Sequence, residues 1–276
     1  LRGSRQPGVG RGALTGGPEA GRNVGRNWAE NFAVTTLELG GKSPILVFDD
    51  ADLESAANGL IAGNFGASGQ SCVAGSRGLV QRSILEDLSA LITEKSREIV
   101  VGDPLAPDTH VGPLCTRAQI DRIQATLATA REQGAGIRFG GAPLERPGNY
   151  MAPTLVECAG PETETLKTEM FGPVMSLLPF DTEDEAISLA NSTPYGLGSG
   201  VFTQNVARAH RVSRRLRAGI CWVHTYRPVS PIAPFGGFNA SGSRRSAAIE
   251  ALLPHTSTKP TWITHTQAPM ATPCVR

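Results

Sequence analysis

The feature that most constrains this chain is the regular exchange of two hydrophobic periods along it. Short apolar runs at 34–39, 45–48, 76–81, 153–156, 173–179, 199–203 and 218–223 read as strands. Between them lie segments with helical spacing. Residues 19–33 carry Val24, Trp28 and Phe32 four apart; later segments carry Ala56, Leu60 and Ile61, then Ile84, Leu88, Leu91 and Ile92, then Ile120, Ile123 and Leu127. Start signals accompany them: Asp52 before the second helix, the capping box Thr182-Glu183-Asp184-Glu185 before Ile187 and Leu189, and Asn205 before Val206, Ala209 and Leu216. Strands that alternate with helices predict an α/β fold with a largely parallel sheet and crossover connections. Glycines at 63, 66 and 69 break the second helical pattern just before Ser71-Cys72-Val73-Ala74.

Composition narrows the function classes. Over 276 residues, 26 basic side chains face 25 acidic ones, a net charge of +1 that gives no electrostatic case for a nucleic-acid partner. No run approaches the roughly 18 apolar residues of a membrane-spanning helix, so no membrane partner is expected. With 40% hydrophobic and 18% charged residues the chain is not disordered by composition, and Gly 32 with Pro 20 implies many tight turns. Residues 1–13 hold four glycines and three arginines with little to bury, which predicts an unstructured or divergent start. The chain opens on Leu1 with no signal-like segment behind it, and reads as part of something longer or as altered at its start. The cysteines at 72, 115, 158, 221 and 274 form no CxxC pair, and an odd number without a signal sequence predicts reduced thiols and a cytoplasmic setting. The histidines form no HExxH pair, so no metal is expected, and no GxSxG elbow is present.

Some residues stand out for chemistry, each beside a plainer reading. Cys72 follows Gly69-Gln70-Ser71, where a thiol can be exposed and backbone N–H groups can converge on an oxyanion; it can equally be a small buried hydrophobe. Cys158 and Cys221 are weaker candidates, and Cys274 reads as a tail residue. Glu38, between Leu37 and Leu39 beside a double glycine, is either a desolvated general base or an edge carboxylate in water. Glu169, before Met170-Phe171-Gly172-Pro173, is an acceptor for a hydroxylated ligand or a turn residue. Gly16-Gly17-Pro18-Glu19-Ala20-Gly21 opens a helix and offers either a phosphate-binding turn or an ordinary one. Phe235, in Pro234-Phe235-Gly236-Gly237, is turn chemistry with one aromatic ring.

Taken in order, ELGGKSP at 38–44, FGASGQSCVAGSR at 65–77, EMFGPV at 169–174 and PFGG at 234–237 resemble the C-terminal half of the NAD(P)-dependent aldehyde dehydrogenase superfamily. LTGGPEAGR at 14–22 resembles the family's cofactor turn and TKPTWI at 258–263 its terminal strand, and the 34 positions from Glu38 to Cys72 also fit. The resemblance implies a catalytic domain at 41–240 and a remnant of the Rossmann-type cofactor domain at 14–40. It further implies a helix returning to that domain at 241–255, an oligomerisation strand at 256–264 that pairs in a homo-oligomer, and a tail at 265–276.

The same resemblance implies oxidation of a small-molecule aldehyde to an acid with NAD or NADP. Cys72 is the implied nucleophile, passing through a thiohemiacetal and a thioester, and Glu38 the implied base for hydrolysis. The oxyanion is held by the Cys72 N–H and by an asparagine from the absent first half. Glu169 binds the nicotinamide ribose, Phe171 packs beside the ring, and Gly16, Gly21 and Leu39 complete the cofactor contacts; Phe235 lines the substrate tunnel. Three positions depart from the family. Its SGxGRE-like run reads Ser241-Gly242-Ser243-Arg244-Arg245-Ser246, replacing a glycine by Arg244 and an acidic residue behind the base by Ser246, and His224 stands where asparagine is usual. Loss of that acid predicts weaker water activation. The competing readings are a catalytically silent truncated relative that acts by association and a cofactor-independent esterase.

Overall fold

A computed structural model describes residues 2–265 and 267–270. Its strands are β1 (Arg11–Thr15), β2 (Val34–Glu38), β3 (Pro44–Val47), β4 (Arg77–Gln81), β5 (Gly136–Phe139), β6 (Thr154–Glu157), β7 (Val174–Phe180), β8 (Gly198–Phe202), β9 (Ile220–Val223) and β10 (Gly242–Ser243). The helices are α1 (Pro18–Ala29), α2 (Leu53–Phe65), α3 (Leu85–Ser96), α4 (Arg117–Glu132), α5 (Glu164–Lys167), α6 (Glu183–Ala190), α7 (Val206–Arg215) and α8 (Ile249–Leu252). The main sheet runs β5-β6-β7-β4-β3-β8-β9, parallel throughout except for the antiparallel edge strand β5. A second sheet, β1-β2-β10, pairs β1 and β2 in parallel and β10 antiparallel to β2.

The main sheet is covered on both faces, and strand periodicity shows how. Ile45 and Val47 of β3 pack with Ala56, Leu60, Leu88 and Ile92 of α2 and α3. Leu46 and the adjacent Phe48 pack with Ala186, Ile187, Val212 and Leu216 of and beside α6 and α7. Successive residues therefore serve opposite cores, so a strand buried on both sides reads as an unbroken apolar run. A third cluster seats Ile120, Ile123 and Leu127 of α4 against Val156 and Val174. The start signals act as their chemistry dictates: Asp52 accepts from the Ser55 N–H at 2.8 Å, and Asn205 accepts from the Arg208 N–H at 3.0 Å. Thr182 accepts from the Glu185 N–H at 3.2 Å, but the Glu185 carboxylate reaches back to the Asp181 N–H, one residue before the cap.

The structure departs from the sequence reading in several places. Residues 11–13, expected to be irregular, belong to β1, which pairs with β2 from Arg11↔Val34 to Thr15↔Glu38; the backbone ladder makes the strand although no side chain in it is fully buried. The first helix ends at Ala29, so Val24 and Trp28 are buried while Phe32 lies beyond it, 94% exposed. Gly63 does not break α2, which runs on to Phe65. Strand β5 escaped notice because an edge strand of Gly-Ile-Arg-Phe carries little apolar signal. The 241–255 segment is not one return helix. It supplies β10, which closes on β2, and then the four-residue α8. No strand is assigned within 256–264, where Trp262 is 94% exposed. Of the 265–276 tail, Thr266 and residues 271–276, Cys274 included, lie outside the described residues. Among the described residues, no helix is long and apolar enough to cross a membrane.

Candidate active site

Parallel strands deliver their following loops to one edge of a sheet, and in open α/β folds ligands bind in the crevice outside those carboxyl ends. The small sheet obeys this. Thr15, Gly16 and Gly17 leave β1 and Glu38, Leu39 and Gly40 leave β2 along one wall of a cleft of about 540 Å³. The opposite wall comes from the segments leading into β4 and β7, which supply Gln70, Ser71 and Cys72 and then Glu169 and Phe171.

The double glycine after β2 is what lets these walls meet. A side chain at Gly41 would begin 2.4 Å from the Cys72 carbonyl oxygen, so only a residue without Cβ admits the cysteine loop. At Gly40 it would begin 2.0 Å from Glu169 Oε2, while the Gly41 N–H donates to Glu169 Oε1 at 2.9 Å. One turn thus seats both the cysteine backbone and the Glu169 carboxylate. Gly40→Ala is expected to push that carboxylate aside and weaken binding of a hydroxyl-bearing cofactor by about tenfold or more, as charge-assisted hydrogen bonds contribute ~1.5–3 kcal/mol. A fluorescence titration with NADH checks this.

Burial raises the pKa of three titratable side chains in the cleft. Cys72 is half-buried, and burial pushes its thiol above the ordinary range; the charge on Glu38 pushes it further, while the N–H groups of Val73 and Cys72 itself pull it back. Burial likewise raises Glu38, opposed by Ser246 and by the Arg245 guanidinium. Both Glu38 carboxylate oxygens are buried without a hydrogen bond to a described residue, so Ser246 faces them without closing one. Oε1 lies 2.9 Å from where a Gly236 side chain would begin. Arg245 is held by the Gly237 and Arg244 carbonyls and stacks over Phe238 at 4.7 Å. Glu169 is raised by burial, against the Gly41 N–H and the charges of Lys42 and Arg122.

Most of the residues singled out from sequence converge on this cleft: Gly16, Glu38, Leu39, Cys72, Glu169 and Phe171. Gly21 does not. It sits one turn into α1, buried against Leu39, where a Cβ would lie 2.7 Å from Leu39 Cδ1. Phe235 also lies off the cleft wall, packed against the apolar cluster that takes Cys72. Sequence reading missed Gln119 and Arg122, whose side chains donate to the Met170 and Glu169 carbonyls from α4. Their i, i+3 spacing puts them on one helix face, but in sequence that face reads as the solvated side of the apolar stripe of α4. Gln70 was also missed as a contact; its carbonyl accepts from the Cys115 N–H at 3.0 Å. The departing positions show their backbone cost. Arg244 holds φ 68° where the resemblance has glycine, and His224 holds φ 58° where it has asparagine, a residue at home in that left-handed region. No cluster able to hold a metal ion occurs among the described residues.

Comparison with known proteins agrees with the α/β fold. The chain is 48% identical over 273 residues to a (Z)-2-((N-methylformamido)methylene)-5-hydroxybutyrolactone dehydrogenase of Acinetobacter baylyi, a match covering 99% of this chain and 56% of the relative. It is 42% identical over 251 residues to betaine aldehyde dehydrogenase of Cereibacter sphaeroides, covering 91% of this chain and 52% of that one. Among solved structures, an NAD-dependent aldehyde dehydrogenase from Sinorhizobium meliloti superposes with a TM-score of 0.94 at 35% identity, over 98% of this chain and 54% of the other. Betaine aldehyde dehydrogenase from Staphylococcus aureus in complex with NAD+ does so with a TM-score of 0.89 at 33% identity, over 96% and 55%. The chain therefore spans about half the length of the curated relatives it matches. Residues 4–261 match the profile described as the aldehyde dehydrogenase family, and with these likenesses the chain belongs to that family.

Proposed function

We propose that this chain carries the nucleophile and the hydrolytic base of an NAD-linked oxidation of an aldehyde to a carboxylic acid. The observation that carries the reading is the meeting of Cys72, Glu38 and Glu169 in one cleft across the Gly40-Gly41 turn. The residues fit a nicotinamide nucleotide. Glu169 Oε2 makes no hydrogen bond within the described chain and is free to accept from ribose hydroxyls; Phe171, 38% exposed, offers an apolar face; Gly16 and Leu39 complete the wall. Solved relatives of the same family are NAD complexes, which favours NAD over NADP.

In this mechanism Cys72, as thiolate, attacks the aldehyde carbonyl carbon, and the Cys72 backbone N–H donates to the resulting oxyanion. The nicotinamide, when bound, supplies the hydride acceptor. Glu38 then takes a proton from water, the hydroxide oxygen adds to the acyl carbon held on Cys72, and the C–S bond breaks to release the acid and restore the thiolate. Burial raises the pKa of Glu38, which makes its carboxylate a stronger base than an exposed one. We assign pairing with a second copy of the chain to the segment 256–264, whose Trp262 and Ile263 are uncovered.

The test is a calorimetric titration of the purified, folded chain with NAD and NADP at millimolar concentration, followed by turnover with aldehydes that include betaine aldehyde. Saturable binding of NAD and aldehyde-dependent cofactor reduction are expected. A folded chain that binds neither cofactor overturns the reading.

A further inference from the structure

The peptide between Gly40 and Gly41 is gripped at both ends. At one end its N–H, on Gly41, donates to Glu169 Oε1 at 2.9 Å. At the other its carbonyl, on Gly40, accepts from the Ser241 hydroxyl at 2.7 Å. The Ser241 oxygen in turn accepts from the Gly196 N–H at 3.0 Å, and its own proton goes to the Gly40 carbonyl. The Gly196 N–H, the Ser241 hydroxyl and the peptide thus form one line of hydrogen bonds, each polarising the next, that ends on the Glu169 carboxylate.

Glycine on both sides makes that grip matter. A peptide flanked by two glycines can turn over at little steric cost, because neither residue has a Cβ to restrict it. Turned over, it would present its carbonyl oxygen to the Glu169 carboxylate in place of the N–H. Both glycines are dictated by neighbours, since Glu169 and the Cys72 carbonyl would overlap any side chain there. The orientation must therefore be held from outside the turn, and Ser241 is placed to hold it. It is fully buried, at the end of the single helical turn Asn239–Ser241. Its own backbone is fixed without the side chain: the carbonyl accepts from the Leu39 N–H at 3.0 Å and the N–H donates to the Phe238 carbonyl at 3.0 Å. The hydroxyl is left to join Gly40 to Gly196.

We propose that Ser241 is a positioning residue for Glu169: its hydroxyl fixes the plane of the Gly40-Gly41 peptide, so that the Gly41 N–H holds one carboxylate oxygen and leaves the other to the cleft. Only the consequence for cofactor binding rests on the function proposed above; the positioning of the carboxylate does not.

Two measurements on the full chain test this. The first is the NMR signal of the Gly41 amide proton in isotope-labelled protein, which a bond to a carboxylate moves downfield. Glu169→Gln is expected to move it upfield, and Ser241→Ala is expected to move it the same way although residue 169 is untouched. An unmoved Gly41 signal in either variant overturns the proposal. The second is a double-mutant cycle read by NADH affinity. Ser241→Ala is expected to weaken NADH binding about tenfold, the scale of one hydrogen bond to a charged group. With Glu169 already replaced by glutamine, the same change is expected to cost less than about twofold. An equal loss in both backgrounds means that Ser241 serves the fold and not Glu169, and overturns the proposal. Ser241→Cys keeps a weaker donor at the same position and stands in for the alanine variant if that one does not fold. The same upfield move is then expected, and an unmoved signal counts against the proposal as before. If NADH does not bind wild type, the reading of Glu169 as a ribose acceptor fails, and the Gly41 signal alone decides the positioning.

Discussion

Cys72→Ala is expected to lower aldehyde-dependent cofactor reduction by about ten-thousand-fold or more while leaving NAD binding intact, because the variant has no atom on which to build the thiohemiacetal. No other described cysteine can substitute. Cys158 is turned to Thr165, Cys221 is partly buried with its thiol directed to the Trp222 carbonyl at 3.9 Å, and Cys115 is exposed but does not line the cleft. The fold should tolerate the change, since the loop is held by its backbone, with the Gly75 N–H donating to the Gly63 carbonyl at 3.1 Å and the Tyr226 hydroxyl to the Val73 carbonyl at 2.9 Å. Absorbance at the reduced-nicotinamide band measures turnover, and calorimetry measures binding on the same samples. Turnover within tenfold of wild type would remove Cys72 from the mechanism. Alkylation supplies a second check. Burial and the Glu38 charge raise the thiol, so iodoacetamide labelling of Cys72 should keep accelerating as pH climbs past the ordinary cysteine range.

What the sequence made legible follows from which interactions are local. The apolar runs of β3, β4 and β6 to β9 and the caps at Asp52, Thr182 and Asn205 are signals carried within a few residues, and those elements stand where the pattern put them. Strands β1 and β5 were invisible for a physical reason: both sit at sheet edges, held by backbone ladders that leave little apolar signature. The site was legible as a set of residues but not as a geometry. Nothing local tells that Gly41 must be bare because Cys72 O passes 2.4 Å from its missing side chain, or that Glu169 bonds back across 128 positions to that glycine. Gln119 and Arg122 hid in an amphipathic helix whose polar face looked merely solvated. Lys42 was hidden by composition, since a lysine in a loop reads as exposed until the structure buries it completely.

Glu38→Gln should produce two effects of opposite sign, which makes it the most discriminating substitution at this site. Steady-state turnover is expected to fall by about a hundred- to ten-thousand-fold, the usual worth of a general base. A first burst of reduced cofactor should survive, because Cys72 can still be acylated and only release is blocked. Cys72 alkylation at fixed pH should instead speed up, since the charge on Glu38 is one cause of the raised thiol and glutamine removes it. A structural collapse of the cleft would slow both. The pH dependence fixes the sign further. Hydrolysis needs Glu38 ionised, and burial raises its pKa, so the wild-type rate must fall as pH drops through a value above the ordinary carboxylate range. Arg245 and Ser246 face the carboxylate and hold that rise in check. Ser246→Glu would put a second negative charge where the wild type has a hydroxyl, and so is expected to move the acid limb of the profile to higher pH. If that limb stays fixed while Glu38→Gln abolishes release, Glu38 is the base but residue 246 does not reach it. If Glu38→Gln leaves both release and alkylation unchanged, the carboxylate that hydrolyses the acyl enzyme is not Glu38.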